Sequence, residues 1–151
     1  MSDDLLKRVE KDGVEFVSLQ FTDVVGTIKS VTIPVGRLED ALKEGVWFDG
    51  SSIEGFARIY ESDLLLMPDV DTYRVLPWSA PERRRARVIC DVYGPNGQPS
   101  LRVPRQVLKR ALARAADAGY TFNVGPEIEF FLFKRNGEPN SDHPTRPVPH
   151  D

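Results

Sequence analysis

Two glutamates lie one residue apart near the end of the chain and are the first candidates for chemistry. Glu127 and Glu129 fall in the stretch GPEIEFFLF, residues 125–133, which is typical of a strand. Residues two apart on a strand point to one face, with Cα atoms about 6.5–7 Å apart. Two such carboxylates repel each other unless a cation lies beside them. Because Mg²⁺ and Mn²⁺ take oxygen ligands, the pair predicts either metal ligands or a solvated strand end.

A third acid, Asp49, stands on a glycine turn, in the tetrapeptide DGSS of residues 49–52. Trp47 and Phe48 precede it, and the chain returns to an apolar run at residues 64–66. Glycine allows a tight turn that carries the acid beyond a sheet surface. The two aromatic residues are expected to bury the base of the loop and hold it stiff. An ordinary loop would be polar throughout, so this pattern indicates a positioned carboxylate.

Composition limits the class of protein. The 151 residues are 40% hydrophobic and 28% charged, which suits one globular domain or one domain plus a piece of another. The net charge of −3 does not favour a nucleic-acid or anionic-membrane partner. Cys90 is the one cysteine, so no internal disulfide forms and a cytoplasmic location is expected. No apolar signal core follows Met1 and no apolar run is long enough to span a membrane, so neither secretion nor a membrane span is expected.

The elements that must position these acids follow from hydrophobic periodicity and from turn residues. A short N-terminal helix ends at Gly13, and a second one ends at Gly45. Strands are predicted at residues 14–21, 27–33, 64–67, 72–76 and 85–93, with the first two forming a hairpin. Five short strands and a helix between them predict a small α+β roll up to about Tyr93.

A loop rich in glycine and proline, residues 94–100, predicts a module boundary. Residues 104–119 predict a helix that starts with proline and stops at glycine, with an apolar face of Leu108, Ala111, Leu112 and Ala115. Residues 120–134 predict a long strand. An unpaired strand of that length is a liability in a finished protein. We therefore expect domains at 1–100 and 101–134, the second of them incomplete.

The tail, residues 135–151, has four prolines and is expected to be extended or mobile. Four of its residues imitate a metal-ligand set, but a flexible terminal segment is the favoured interpretation; they are Asp142, His143, His150 and Asp151.

Two stretches together indicate a family. FDGSSI at residues 48–53, with ESDLLLMPD at residues 61–69, resembles the N-terminal domain of type I glutamine synthetase. GPEIEFFLF resembles the first strand of the catalytic domain of that family, and the resemblance fades in the proline-rich tail. It implies an α+β fold: a β-grasp domain, which is a ubiquitin-like roll, followed by the first helix and strand of an incomplete catalytic barrel.

The same resemblance implies an activity. Members are ATP-dependent ligases that join ammonia to glutamate through γ-glutamyl phosphate, with Mg²⁺ or Mn²⁺ as cofactor. Their substrates are ammonium, glutamate and ATP. They are homo-oligomers, a dodecameric ring in full-length members, and the β-grasp domain of one subunit closes the active site of its neighbour. The resemblance implies no nucleic-acid or membrane partner.

The resemblance also implies roles for individual residues. Glu127 matches a ligand of the metal near the ATP phosphates, and Glu129 matches a ligand of the metal near glutamate. Asp49 matches the residue that binds ammonium across the subunit interface and helps to remove its proton, and Ser52 matches a neighbour in that pocket. The segment around Arg58 resembles the lineage inhibited by glutamine, so Arg58 is either a regulatory residue or a surface arginine.

Other readings stay open. The remaining metal ligands, the glutamate-binding arginine and the nucleotide pocket of the family match nothing in these 151 residues. The chain alone is therefore expected to be inactive, whether it is a fragment or a naturally short relative. A stand-alone β-grasp interaction or regulatory module is the alternative function. A relative that ligates glutamate to an organic amine is a third reading, which Asp49 disfavours because a bulky amine needs room rather than charge.

Overall fold

A computed structural model describes residues 2–51, 63–131, 133–134 and 148–149. The chain divides into two compact units, Met1–Tyr120 and Thr121–Asp151, and each is described by itself. No helix in these ranges is long and apolar enough to cross a membrane.

The first unit is built on a six-stranded sheet. Its strands run in the spatial order β2-β1-β6-β4-β3, and β5 pairs with β6 beside that path. The strands β1 and β6 are parallel, and every other pair is antiparallel. The bounds are β1 Phe16–Thr22, β2 Ile28–Pro34, β3 Val46–Asp49, β4 Asp63–Pro68, β5 Arg74–Val75 and β6 Arg85–Tyr93.

Among the residues that the structure describes, three α-helices accompany the sheet: α1 Ser2–Lys11, α2 Leu38–Glu44 and α3 Pro104–Asp117. Short 3-10 turns occur at Val35–Arg37, Val70–Thr72 and Pro81–Arg83. Acidic residues in the first turn of α1 and basic residues in its last turn complement the helix dipole. The predicted helices at both ends of this unit are confirmed, with α3 starting at the predicted proline.

One face of the sheet forms the core. Alternate residues of β6 are fully buried, in the pattern expected when one face of a strand packs inward. Side chains of α1 and α2 cover this face and join the same apolar cluster, which includes Leu5, Val9, Leu38 and Ala41. The sheet with its helices confirms the predicted α+β roll and the β1–β2 hairpin.

A buried tyrosine ties the end of α1 to the sheet. The Tyr73 hydroxyl donates a hydrogen bond to Asp12 Oδ2 at 2.9 Å, and Arg84 Nη1 donates to the Asp12 carbonyl at 2.9 Å. The Arg8 guanidinium lies 5.2 Å from the centroid of the Tyr73 ring. Burial and the neighbouring Asp12 raise the pKa of Tyr73 well above its ordinary value. The hydroxyl therefore stays protonated and continues to donate at any physiological pH.

One strand prediction in the first unit is corrected, and one strand of this unit was missed. The strand predicted at residues 72–76 shrinks to β5, because the chain first forms the 3-10 turn Val70–Thr72. Asp69 caps that turn by accepting a hydrogen bond from Asp71 N at 3.3 Å. The strand β3 was not predicted at all, since four residues are too few to show a period.

The long strand predicted at residues 120–134 is wrong over most of its length. Residues 120–131 have no regular secondary structure and are exposed. Of the described residues in this stretch, only Phe133–Lys134 forms a strand, which pairs antiparallel with Val148–Pro149. The backbone N–H and C=O groups of a strand need hydrogen-bonding partners on a neighbouring strand. In the described part of this unit, that neighbour is Val148–Pro149, which is only two residues long. Most of the tail of residues 135–151 lies outside the described residues, including its acids and histidines.

Cys90 is fully buried on β6, as expected for a small apolar residue. Burial, and then the adjacent Asp91, raise the pKa of its thiol to about 12. We therefore predict that iodoacetamide does not alkylate Cys90 in the native chain at pH 8, because the thiolate is absent and the sulfur is covered. Mass spectrometry after a timed exposure measures this, and the same chain in urea is the control. Equal labelling in both conditions would contradict the buried position.

Candidate functional site

Asp49 is the last residue of β3, at the edge of the sheet in the first unit. The strand β3 pairs antiparallel with β4, so Asp49 lies directly opposite Asp63, and Phe48 lies opposite Leu64. The hairpin loop begins at Gly50, after the final ladder pair. The sheet therefore fixes the backbone of Asp49 while the side chain stands at the exposed end of a strand.

The two aromatic residues before Asp49 behave differently. Phe48 packs on Phe21 of β1, with ring centroids 4.8 Å apart and ring planes tilted by 39°. Trp47 is 57% exposed. Successive side chains of a strand point to opposite faces, so only one of the two reaches the core. The expectation that aromatic packing anchors the loop is confirmed for Phe48 and wrong for Trp47.

The carboxylate of Asp49 is oriented by its own turn. Ser51 N donates a hydrogen bond to Asp49 Oδ1 at 2.8 Å, which closes an Asx turn over Gly50. Hydrogen bonds from Ser51, first from its side chain and then from its backbone N–H, lower the pKa of Asp49. The group is therefore an exposed, ionised carboxylate with a preferred direction, as a site for a small cation requires.

Gly45 sets the approach of the chain to β3. Its φ of 76° and ψ of −175° lie in a region that only glycine adopts readily. A Cβ at this position would meet Met67 Sδ at 2.7 Å, with Leu65 Cδ1 and the Leu66 carbonyl oxygen both at 2.8 Å. The sequence identified Gly45 as a helix stop, which is confirmed. The close contact with β4 was missed, because it depends on a partner distant in sequence.

Glu127 and Glu129 lie in the second unit, where both are exposed and neither is part of a strand. Two carboxylates supply the oxygen donors that a hard divalent ion prefers. Within the described ranges, however, no group of three or more His, Cys, Asp or Glu residues is placed to hold a metal. The chemistry of the two carboxylates fits Mg²⁺ or Mn²⁺, but two side chains are fewer than the about six oxygen ligands that such an ion takes.

Two further candidates, Ser52 and Arg58, lie outside the described residues. The structure also shows a polar cluster that the sequence did not reveal. It joins α3 to the sheet and consists of Asp69, Asp91, Arg105 and Lys109. The sequence signal for this cluster is the spacing of Arg105 and Lys109, which lie one helical turn apart. Their acidic partners lie far away in sequence and could not be chosen by spacing.

Family models match the chain in two adjacent segments. Residues 13–95 match the glutamine synthetase β-grasp domain, and residues 101–150 match the glutamine synthetase catalytic domain. The chain belongs to the glutamine synthetase family. The resemblance seen in the sequence motifs is thereby confirmed, as is a β-grasp domain followed by the start of a catalytic domain.

Individual relatives agree with the family match. A glutamine synthetase of Staphylococcus epidermidis RP62A is 53% identical over 140 residues, which cover 91% of this chain and 31% of the relative. A glutamine synthetase of Halobacterium salinarum NRC-1 is 51% identical over 138 residues, covering 91% of this chain and 30% of the relative. The chain spans about a third of the length of the curated relatives it matches.

Solved structures show the same fold. A GmaS–ADP complex superposes with a TM-score of 0.70 at 30% identity, over 78% of this chain and 26% of that one. Plasmodium falciparum glutamine synthetase, determined by cryo-electron microscopy, has a TM-score of 0.70 at 24% identity, over 79% of this chain and 23% of that one. The second likeness supports the fold alone.

Proposed function

We propose that this chain provides the β-grasp domain and the opening of the catalytic domain of an ATP-dependent glutamate–ammonia ligase, which works through γ-glutamyl phosphate. The chain alone is inactive in this proposal, since it spans about a third of its relatives. The observation that carries the proposal is Asp49, an exposed and ionised carboxylate held at the end of a β-grasp strand. The domain limits 1–100, 101–134 and 135–151 belong to the same proposal.

Asp49 binds and orients ammonium in this scheme. An ionised carboxylate attracts the cation, and the hydrogen bond from Ser51 N limits the directions from which ammonium can approach. Because the pKa of Asp49 is lowered, its carboxylate attracts the ammonium cation but is a weak base for a proton taken from that cation. We therefore assign Asp49 first to binding ammonium. In removing a proton from ammonium, Asp49 passes that proton on rather than keeping it. Ser52, two residues after Gly50, is proposed as a neighbour in the same pocket.

The pocket is completed by a second subunit in this proposal. A carboxylate at the tip of an edge strand projects away from its own core and is suited to reach a neighbouring active site. We propose a cytoplasmic homo-oligomer, a dodecameric ring as the resemblance implies. Arg58, nine residues after Asp49 in the sequence, is proposed to mediate inhibition by glutamine. That role stays a prediction, tested by the glutamine concentration that halves the rate of an Arg58→Ala variant.

Glu127 and Glu129 are proposed to hold divalent ions, Mg²⁺ or Mn²⁺. When bound, such ions neutralise charge on the ATP phosphates and on the transferred phosphoryl group. The contribution of this chain is two negative side chains in a single short stretch. The intervening Ile128, which is 83% exposed, contributes no charge of its own.

The experiment that tests the function uses a longer protein. We define the chimera as the S. epidermidis glutamine synthetase in which the residues aligned with this chain are replaced by this chain. We expect glutamine formation from ATP, glutamate and ammonium, and little product when ethylamine replaces ammonium. A folded, oligomeric chimera that makes no glutamine would contradict the proposal. A preference for ethylamine would support the organic-amine reading instead.

Substitution of the paired glutamates tests the metal assignment. In the chimera, Glu127→Gln and Glu129→Gln should each raise the Mg²⁺ concentration for half-maximal rate roughly tenfold, about 1.4 kcal/mol. The reason is that Gln keeps the shape and loses the charge that the ion requires. Glu82→Gln, an exposed glutamate of the first unit, is the matched control. If the parent and all three variants reach half-maximal rate at the same Mg²⁺ concentration, Glu127 and Glu129 are solvated surface residues and not metal ligands.

A further inference from the structure

A network of four charged side chains connects α3 to β6 and to the residue that follows β4. Arg105 Nε donates a hydrogen bond to Asp91 Oδ1 at 2.9 Å, and Arg105 Nη2 donates to Asp69 Oδ2. Lys109 Nζ donates to Asp91 Oδ2 at 2.5 Å. Asp91 therefore accepts from both cations, and Arg105 spans both acids.

The network is better shielded than an ordinary surface ion pair. The side chain of Asp91 is 15% exposed, and that of Arg105 is 26% exposed. Partial burial weakens screening by salt. The guanidinium is a planar fork that reaches two carboxylates at once, whereas the ammonium group of lysine is a single point charge. The geometry of this site is therefore specific to arginine at position 105.

The acids and the cations belong to different parts of the family match. Asp69 directly follows β4 and Asp91 lies on β6, both within the β-grasp match. Arg105 and Lys109 lie on α3, which falls within the catalytic-domain match. The network is thus a charged connection between the two matched segments, on the opposite face of β6 from the buried Cys90.

In the described part of the chain, the first turns of α3 are held against the sheet, while the apolar residues of its later turns are more exposed. Val103, just before the helix, is fully buried, and Ser100 N donates to the Val92 carbonyl at 2.8 Å. Farther along, Leu108 and Leu112 are 53% and 39% exposed. The direction in which α3 leaves the sheet therefore depends on its first two turns, where Arg105 makes its contacts.

The strand that leads into Asp69, β4, is also the ladder partner of the strand that carries the candidate ammonium residue. The edge strand β3 has β4 as its ladder partner, and Asp49 lies opposite Asp63 at one end of β4. Asp69 follows Pro68 at the other end. A change in the angle between β4 and α3 would accordingly carry the whole β3–β4 hairpin with it.

We propose that Arg105 is a positioning residue which, through Asp69 and Asp91, fixes α3 against the end of β4. It thereby fixes where Asp49 lies relative to the catalytic domain of its own subunit, and so how Asp49 reaches the active site of the neighbouring subunit. This inference rests on the proposed function, because it assumes that Asp49 binds ammonium. Arg105 touches no substrate in this scheme. Its effect should therefore appear in the ammonium requirement rather than in the nucleotide requirement.

The test compares two arginines of the same helix in the chimera. We expect Arg105→Gln to raise the KM for ammonium about tenfold and to change the KM for ATP less than twofold. Arg110→Gln, an exposed arginine one turn on, is the matched control and should leave both values unchanged. Arg105→Lys should recover part of the loss, since it keeps the charge but engages one carboxylate.

A double-mutant cycle shows whether the effect passes through the acid. Asp69→Asn should raise the KM for ammonium as Arg105→Gln does, and the double variant should add little to either change. An unchanged ammonium KM in Arg105→Gln, or a loss of kcat with all KM values intact, would overturn the inference. So would full additivity with Asp69→Asn. An inactive parent chimera would instead overturn the proposed function, which separates the two failures.

Discussion

Replacing Asp49 by asparagine in the chimera should lower kcat/KM for ammonium about 100-fold, or about 2.7 kcal/mol of transition-state stabilisation. Asparagine keeps an Oδ1 that can accept the hydrogen bond from Ser51 N, so the turn is preserved. The change removes only the negative charge. The loss should therefore appear as a higher KM for ammonium, with the KM values for ATP and glutamate close to those of the parent.

The pH dependence of the ammonium KM is a second test of the role of Asp49. Because the pKa of Asp49 is lowered in the folded chain, the carboxylate stays charged down into its ordinary titration range and throughout the neutral range. We therefore expect that titration of Asp49 causes no change in the ammonium KM of the parent between pH 6 and pH 8. Asp40→Asn, on the exposed surface of α2, is the control. Equal kcat/KM for ammonium in parent, control and Asp49→Asn would show that Asp49 serves only the turn.

The parts of the fold that the sequence predicted are those whose signal is local. The strand β6 alternates buried and half-buried residues over nine positions, and α3 is bounded by proline and glycine. The edge strand β3 gave no such signal, since its four residues, none of them fully buried, are too few to show a period. Residues 120–131 carry strand-forming residues, but strand formation also requires a partner, which composition does not specify.

The candidate site divides in the same way. The type and order of Asp49, Glu127 and Glu129 could be read from the sequence, because each stands in a short and distinctive motif. The hydrogen bond that orients Asp49 was not predicted, although Asx turns over glycine are common. The contacts of Arg105 could not be foreseen, since Asp69 lies 36 residues away. Tertiary partners of this kind follow from the fold rather than from any local pattern.

Gly45→Ala should be the most destabilising small substitution near the candidate site, with a loss of roughly 2–5 kcal/mol in the free energy of unfolding. Alanine at this φ and ψ is strained wherever it occurs. Its Cβ would also stand 2.8 Å from the Leu66 carbonyl oxygen, a backbone atom of the adjacent strand that cannot rotate away. The chain between α2 and β3 must therefore shift, and a shift weakens the pairing of β3 with β4.

The measurement is urea unfolding of the 151-residue chain followed by far-ultraviolet circular dichroism. Tryptophan fluorescence is a poor probe here, because Trp47 and Trp78 are 57% and 79% exposed in the folded state. Gly36→Ala is the matched control, since a Cβ there meets nothing within 4 Å and φ lies outside the left-handed region. A typical domain is stable by about 5–15 kcal/mol, so the expected loss is a large fraction of the total. Equal midpoints for Gly45→Ala and Gly36→Ala would contradict the close approach of residue 45 to β4.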